Sequence, residues 1–171
     1  MPDILSERVS GPRAIVSGGQ TGVDRAALDL ALDLGLAAGG WCPAGRWAED
    51  GAVPRRYPLR ETSSADPAVR TRRNVRDSDA TLILSPVPLA GGTALTARVA
   101  RTLGRPCLAL DPRDRSAVRA LRRWLEAVRP AVLNVAGPRA SEAPGLGVAA
   151  RRVLGAALRP DPGVARGTPQ A

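Results

Sequence analysis

The sequence predicts a three-layer α/β fold, a parallel sheet with helices on both faces, and three observations carry that expectation. Short apolar runs alternate with helical patterns along the whole chain. A hydrophobic content of 44% comes with three Trp, one Tyr and no Phe, so the core is filled by Leu, Val, Ile and Ala, as where helices cover a parallel sheet. Between the first apolar run and the first helical pattern stands a glycine-rich loop, Ser17 to Asp24, reading Ser-Gly-Gly-Gln-Thr-Gly-Val-Asp. A chain of 171 residues suits one domain, since at this length roughly two-thirds of the unfolded surface can be buried.

The strands expected are Ala14 to Ser17, Thr81 to Ser85, Cys107 to Leu110 and Val132 to Ala136, each short, apolar and bounded by turn signals. Leu36 to Ala38 and Pro58 to Thr62 are weaker candidates. The first helix carries Val23, Ala27, Leu30 and Leu34 at helical spacing and stops at Gly35. Thr21 with Asp24 resembles a capping box at its start. Asp66-Pro67 opens a second helix with a capping side chain and a proline in the first turn; it runs to about Ser78, with Ala68, Thr71, Val75 and Ser78 as the buried stripe. Three more helices follow, Thr93 to Leu103, Ser116 to Val128 and Leu146 to Leu158. The folded domain is thus expected over residues 13–158, with a loose N-terminal segment at 1–12 and a disordered Pro- and Gly-rich tail at 159–171.

Composition narrows the chemistry. All 25 basic residues are arginine against 16 acidic ones, for a net charge of +9, and this uniform replacement of lysine reads as a compositional bias. With neither aromatic stacking platforms nor a base-reading motif, no nucleic-acid partner is expected. The charge does attract phosphorylated small molecules. The absence of histidine excludes His-based acid/base catalysis, Ser-His-Asp triads and His metal sites. Cys42 and Cys107 have no metal-type spacing and no secretory signal precedes them, so the expectation is a cytoplasmic protein without disulfides or a bound metal. No apolar stretch approaches the roughly 20 residues that span a bilayer, so no membrane association is expected.

Loops that follow the strands of a parallel sheet share one edge, and four here carry polar or glycine-rich sequence. Gly18, Gly19, Gln20, Thr21 and Gly22, with Asp24 in the first helical turn, suit an anion, because N–H groups at a helix N-terminus lack internal partners and carry partial positive charge. A bare strand-to-helix turn would use the same glycines. Gly91, Gly92 and Thr93 open another helix and could hold a second anion. Residues 134–142 supply Gly137, Arg139 for bidentate phosphate contact, and Ser141 and Glu142 for hydrogen bonds, although Arg139 and Glu142 could equally pair with each other. Trp41 in Gly39-Gly40-Trp41-Cys42-Pro43 offers a flat ring for stacking, or packs at a loop edge. Asn74 and Asp77 could face the pocket from the second helix, whereas Arg70, Arg72, Arg73 and Arg76 read as a solvated face. Glu49-Asp50-Gly51 reads as a surface turn whose carboxylates could also receive ligand hydroxyl or amine groups.

Taken in order, the segments Ser-Gly-Gly-Gln-Thr-Gly-Val-Asp-Arg-Ala-Ala-Leu-Asp, Gly-Gly-Trp-Cys-Pro, Ala-Glu-Asp-Gly, Arg-Asn-Val-Arg-Asp-Ser-Asp-Ala-Thr, Gly-Gly-Thr-Ala-Leu-Thr and Leu-Asn-Val-Ala-Gly-Pro-Arg resemble the circularly permuted YpsA-related branch of the SLOG superfamily. The resemblance spans about residues 13 to 158. It implies a Rossmann-like fold related to the LOG or lysine decarboxylase-like proteins, a homo-oligomer (dimer or tetramer), and a pocket for a phosphorylated nucleotide or pterin. For the molybdenum cofactor carriers of this branch the implied ligand is the cofactor itself, molybdopterin with its terminal phosphate, and the implied partner is an acceptor molybdoenzyme. Phosphoribohydrolases of the LOG group carry Gly-Thr-x-x-Glu, but here Thr96 stands in place of that Glu, which removes the carboxylate that helps cleave the nucleotide. The algal carriers read Pro-Arg-Glu-Ser where this chain has Ala140 after Arg139. The expectation is therefore a binding and carrier protein with no catalytic residue. The alternatives are an N-glycosidic hydrolase using Asp24, Asp77 or Glu142, and a nucleotide sensor.

Overall fold

A computed structural model describes residues 11–159. The loose N-terminal segment and the disordered tail expected at the two ends lie, but for residues 11, 12 and 159, outside the described residues. The chain runs through β1 (Ala14–Val16), α1 (Val23–Asp33), β2 (Ala37–Gly39), β3 (Trp41–Cys42), β4 (Trp47–Ala48), β5 (Gly51–Ala52) and β6 (Arg60–Glu61). It continues with α2 (Pro67–Arg76), β7 (Ala80–Leu84), α3 (Gly91–Thr102), β8 (Cys107–Leu110), α4 (Ala117–Val128), β9 (Val132–Ala136) and α5 (Leu146–Leu158).

Five of the strands form one parallel sheet in the order β2-β1-β9-β7-β8. Alternate positions of each strand face opposite sides, as a pleated strand requires. Ile15, Leu82, Leu84, Leu133 and Val135 join one buried core with residues of α1, α4 and α5. Thr81 and Ile83 are buried on the other side, where α3 packs on β7 and α2 packs on α3. The result is the three-layer α/β architecture expected from the alternation.

The connections decide where a site can form. From β1 the chain moves outward to β2 at one edge, and from β7 outward to β8 at the other. The last strand, β9, then fills the gap between β1 and β7, in register with Ile15 through Leu133 and with Leu82 through Val135. The carboxyl ends of β1, β9 and β7 are consequently adjacent, and strand order reverses there.

Residues 41–61 form a side lobe. The Pro58 to Thr62 candidate is realised only as β6, which pairs with β3 outside the main sheet, while β4 and β5 make a small hairpin. Leu28, Cys42, Ala48, Val53, Tyr57 and Leu59 make a second core beneath it. Arg46, buried in this lobe, donates from its guanidinium to the carbonyls of Val53, Leu59, Pro54 and Tyr57 at 2.9 to 3.1 Å. One planar side chain thus closes a turn too short for a sheet ladder.

Two local expectations change. Asp66 caps α2 by accepting from the Ala68 N–H at 2.9 Å, as expected, but the buried side of the helix comprises Thr71, Asn74 and Val75 with Ser78 beyond it, and Ala68 is only half-buried. At α1 no capping box forms: Gly22 is the N-cap, and Asp24 turns back to accept from the N–H of Gln20 at 3.2 Å.

Candidate functional site

The glycine loop between β1 and α1 is tied on three sides. Gln20 Oε1 accepts from the N–H groups of Thr21 and Glu49, both at 3.0 Å. Thr21 donates its hydroxyl to Glu49 and accepts from the Ala140 N–H at 3.0 Å. Glu49 also takes the Ser141 N–H at 3.2 Å and the Ser141 hydroxyl. Gln20 and Thr21 therefore clasp the loop to the side lobe and to the loop after β9, with Glu49 as the shared acceptor. These hydrogen bonds hold the Glu49 carboxyl below the usual glutamate range, those from Ser141 and Thr21 first. Arg25 completes the clasp, with Nε on the Gly19 carbonyl at 3.1 Å and a two-pronged pair to Asp50 at 2.5 and 2.7 Å.

The glycines have distinct reasons. Gly19 has φ +77°, and a β-carbon there would stand 2.5 Å from Leu59 Cδ1 and 3.0 Å from Val53, so it faces the side lobe's core. A β-carbon on Gly22 would stand 2.8 Å from the Pro138 carbonyl oxygen, and one on Gly137 would stand 2.5 Å from Val23 Cβ and 2.6 Å from the Leu84 carbonyl oxygen. Gly137 thereby lies between the first residue of α1 and the last residue of β7. The loops that follow β1 and β7 are neighbours across it.

The start of α3 is the open part of this edge. Gly91, at φ +49°, and Gly92 are exposed, and nothing lies within 4 Å of where their β-carbons would be. The N-cap is Ala90, which offers no side-chain acceptor. Thr93 turns its hydroxyl to the Ala90 carbonyl at 2.7 Å, and the N–H groups of Thr93 and Ala94 bond the same carbonyl. The Gly91 and Gly92 N–H groups are the ones a helix start leaves without internal partners.

In the first turn of α1, Asp24 is 1% exposed. Its Oδ2 takes the Gln20 N–H and lies 3.5 Å from Arg70 Nη1, while its Oδ1 has no partner. Burial pushes its pKa up; the Arg70 charge and the Gln20 N–H pull the other way. Arg70 comes from α2, where it sits one turn before the buried Asn74, and its guanidinium lies where a Gly18 side chain would be.

Of the residues expected to line a pocket, Trp41, Asn74 and Asp77 do come together. Asn74 binds the Trp41 backbone on both sides, Oδ1 accepting its N–H at 2.7 Å and Nδ2 donating to its carbonyl at 3.0 Å. The Trp41 indole donates to Asp77, and its ring carries the guanidinium of Arg73 at 4.6 Å from the centroid and that of Arg60 at 5.6 Å. Arg139 and Glu142 pair with each other at 3.1 Å, the internal arrangement open to them from the outset. Arg70 and Arg73, which the charge pattern reads as a solvated face, belong to this edge, as do Glu49 from the expected surface turn and Arg25, which the sequence did not single out. The signal was spacing: Arg70 is i−4 to Asn74, hence on the same helix face.

Two comparisons bear on this edge. The sequence profile of the circularly permutated YpsA SLOG family matches residues 15–158, and with them every loop described above. The chain belongs to that family. A crystal structure named as a "putative molybdenum carrier protein" from Syntrophus aciditrophicus is similar at 43% identity, with a TM-score of 0.83, over 87% of this chain and 96% of that one. Among curated proteins none matches. Within this member of the SLOG family, Thr96 is buried and donates its hydroxyl to the Gly92 carbonyl at 2.8 Å, so its side chain is bonded to its own helix. Among the described residues, no group of three or more acidic or cysteine side chains is placed to hold a metal ion, and no helix is long and apolar enough to cross a membrane.

Proposed function

We propose that this protein binds molybdenum cofactor, or a closely related phosphorylated small molecule, and hands it on without transforming it. The observation that carries the reading is the start of α3: a helix N-terminus with Ala at its cap and two exposed glycines, at the edge where strand order reverses. A terminal phosphate there accepts from the Gly91 and Gly92 N–H groups and from the helix dipole at once. The first glycine loop is less suited to the phosphate, because Asp24 already takes the Gln20 N–H and Gln20 takes that of Thr21. The name of the similar Syntrophus protein supports molybdenum as the cargo's metal. Because Arg73 and Arg60 stand over the Trp41 ring, a pterin stacking on the face they cover competes with a guanidinium. A homo-oligomer that delivers to an acceptor molybdoenzyme in the cytoplasm is part of the same proposal.

One observation favours hydrolysis as a second reading. A buried carboxyl pushed toward its protonated form, as Asp24 is, resembles a general acid. Against it stand Thr96 and the engaged state of the other candidates, Asp77 on Arg76 and Trp41 and Glu142 on Arg139. The test is mass spectrometry of ligand released from native protein, joined to gel filtration with freshly released cofactor. Co-elution that lengthens the cofactor's lifetime in reconstituting an apo-enzyme is expected. Release of free base from nucleoside monophosphates, lost in Asp24→Asn, would replace the carrier with the hydrolase.

A further inference from the structure

Among the described residues, the one buried ion pair at this edge is badly made. Arg70 and Asp24 approach only to 3.5 Å, with side chains 17% and 2% exposed. Arg70 Nε and Asp24 Oδ1 are both buried without a partner. A pair kept for stability alone would close to a short, two-pronged contact, since desolvating two charges is offset only by good geometry. This one leaves most of a five-donor fork unused, over the backbone of the glycine loop and beside the first turn of α1. Gly18 is what admits it: a β-carbon there would stand 1.8 Å from Arg70 Nη1 and 2.3 Å from Cζ.

We propose that Gly18, Asp24 and Arg70 form a second oxyanion seat, in which Arg70 is the side chain that grips an anionic group of the ligand and Asp24 holds Arg70 ready for it. The inference rests on the carrier reading and deepens it. The cargo is then gripped at two places, its phosphate at α3 and a further oxyanion at Arg70. Asp24 is a positioning residue: it orients the guanidinium through Nη1, and its negative charge tempers the grip. That makes the seat suited to release, because an incoming anion competes with Asp24 for the same fork. The space beside Gly18 is taken by the Arg70 guanidinium itself, so the gripping group already lies against the loop backbone.

The roles predict opposite signs. Arg70→Gln removes the charge and most of the donors. Gly18→Ala keeps both charges but evicts the guanidinium, and Gly18 is not among the glycines with positive φ, so the backbone accepts the methyl. Asp24→Asn keeps the acceptor for the Gln20 N–H and removes the competing charge. The experiment is calorimetric titration of the full chain with inorganic phosphate and, separately, with freshly released cofactor, after circular dichroism has verified each variant's fold. Arg70→Gln and Gly18→Ala are expected to weaken cofactor binding at least tenfold, and Asp24→Asn to tighten phosphate binding several-fold. A merely structural pair would not give opposite signs. Cofactor binding unchanged in both Arg70→Gln and Gly18→Ala would overturn the seat and leave the carrier standing. Phosphate binding that obeys the predicted signs, in a protein that retains no cofactor, would overturn the carrier and leave the seat standing. Should Gly18→Ala unfold, the Arg70→Gln and Asp24→Asn pair still decides by sign.

Discussion

Trp41 donates its indole N–H to Asp77 across 2.8 Å and so fastens the start of β3 to the end of α2. Asn74, one turn earlier, holds the same residue by its backbone. The two attachments are unequal. Trp41→Phe loses one exposed hydrogen bond but keeps a face for Arg73, at a cost of about 1 kcal/mol. Asn74→Ala strands a backbone donor and acceptor together, at a cost of about 2 kcal/mol or more. Urea denaturation of both variants checks the order, and a larger loss for Trp41→Phe would contradict it.

Gly92→Asp separates binding from folding. The position is open and helical, so the new β-carbon meets no neighbouring side chain, and the carboxylate lies in the first turn of α3, where it gains about 0.3 to 1 kcal/mol from the helix dipole. That carboxylate occupies the place assigned to the ligand's phosphate. The melting temperature is expected to hold or rise while affinity for a phosphorylated ligand falls at least tenfold, about 1.4 kcal/mol. Full affinity in the folded variant would move the phosphate elsewhere.

Gly19→Ala should do the reverse. Its φ of +77° disfavours any side chain, and Leu59 Cδ1 stands 2.5 Å from the new methyl. The strain and the crowding together cost about 2 to 4 kcal/mol. The sequence marks both glycine loops as candidates for an anion, because both follow strands and open helices. It does not show that one is closed by side chains from elsewhere in the chain, since the closing groups, Glu49 and Arg70, lie 28 and 46 positions away from their contacts. The alternation of apolar runs with helical patterns made the main sheet legible: all five of its strands, β2 from the weaker candidate Leu36 to Ala38, and all five helices fall within a residue or two of the expected ranges. The side lobe was not legible, because its strands are two residues long and it is held by one buried arginine rather than by a periodic pattern. Urea denaturation of Gly19→Ala beside Gly92→Asp tests the distinction directly.

Acid should open the Glu49 clasp. Its folded pKa lies below the ordinary value, so it contributes stability that is present above that ordinary value and is lost as pH falls through the depressed one. Protonated Glu49 still accepts weakly, but Thr21 and Ser141 no longer donate to a charge. Protection of the Ala140 and Ser141 amides, relative to their intrinsic exchange at the same pH, is expected to fall at low pH, before the main sheet yields. In Glu49→Gln that change in protection should vanish, with the amides less protected at all pH values. Protection at these two amides that does not change down to the acid unfolding of the sheet would rule the clasp out.

Asp24 has the opposite sign. Burial raises its folded pKa, so its contribution to stability is fully present below the unfolded value and is lost as pH rises through the folded one. When ionised, the carboxylate is held at Oδ2 by one backbone N–H and a distant guanidinium. Asp24→Asn removes that charge and keeps the bond to Gln20, while Arg70 can turn its head toward solvent. Stability measured from about pH 4 to 8 should therefore fall with rising pH in the wild type more than in Asp24→Asn. Arg70→Gln should steepen the wild-type slope, because the carboxylate then ionises with no positive partner, and its loss is limited only by Asp24 taking up a proton. A wild-type slope equal to that of Asp24→Asn would mean that the Arg70 charge already offsets the burial of Asp24, and the tension from which the second oxyanion seat was inferred would be absent from the ligand-free protein.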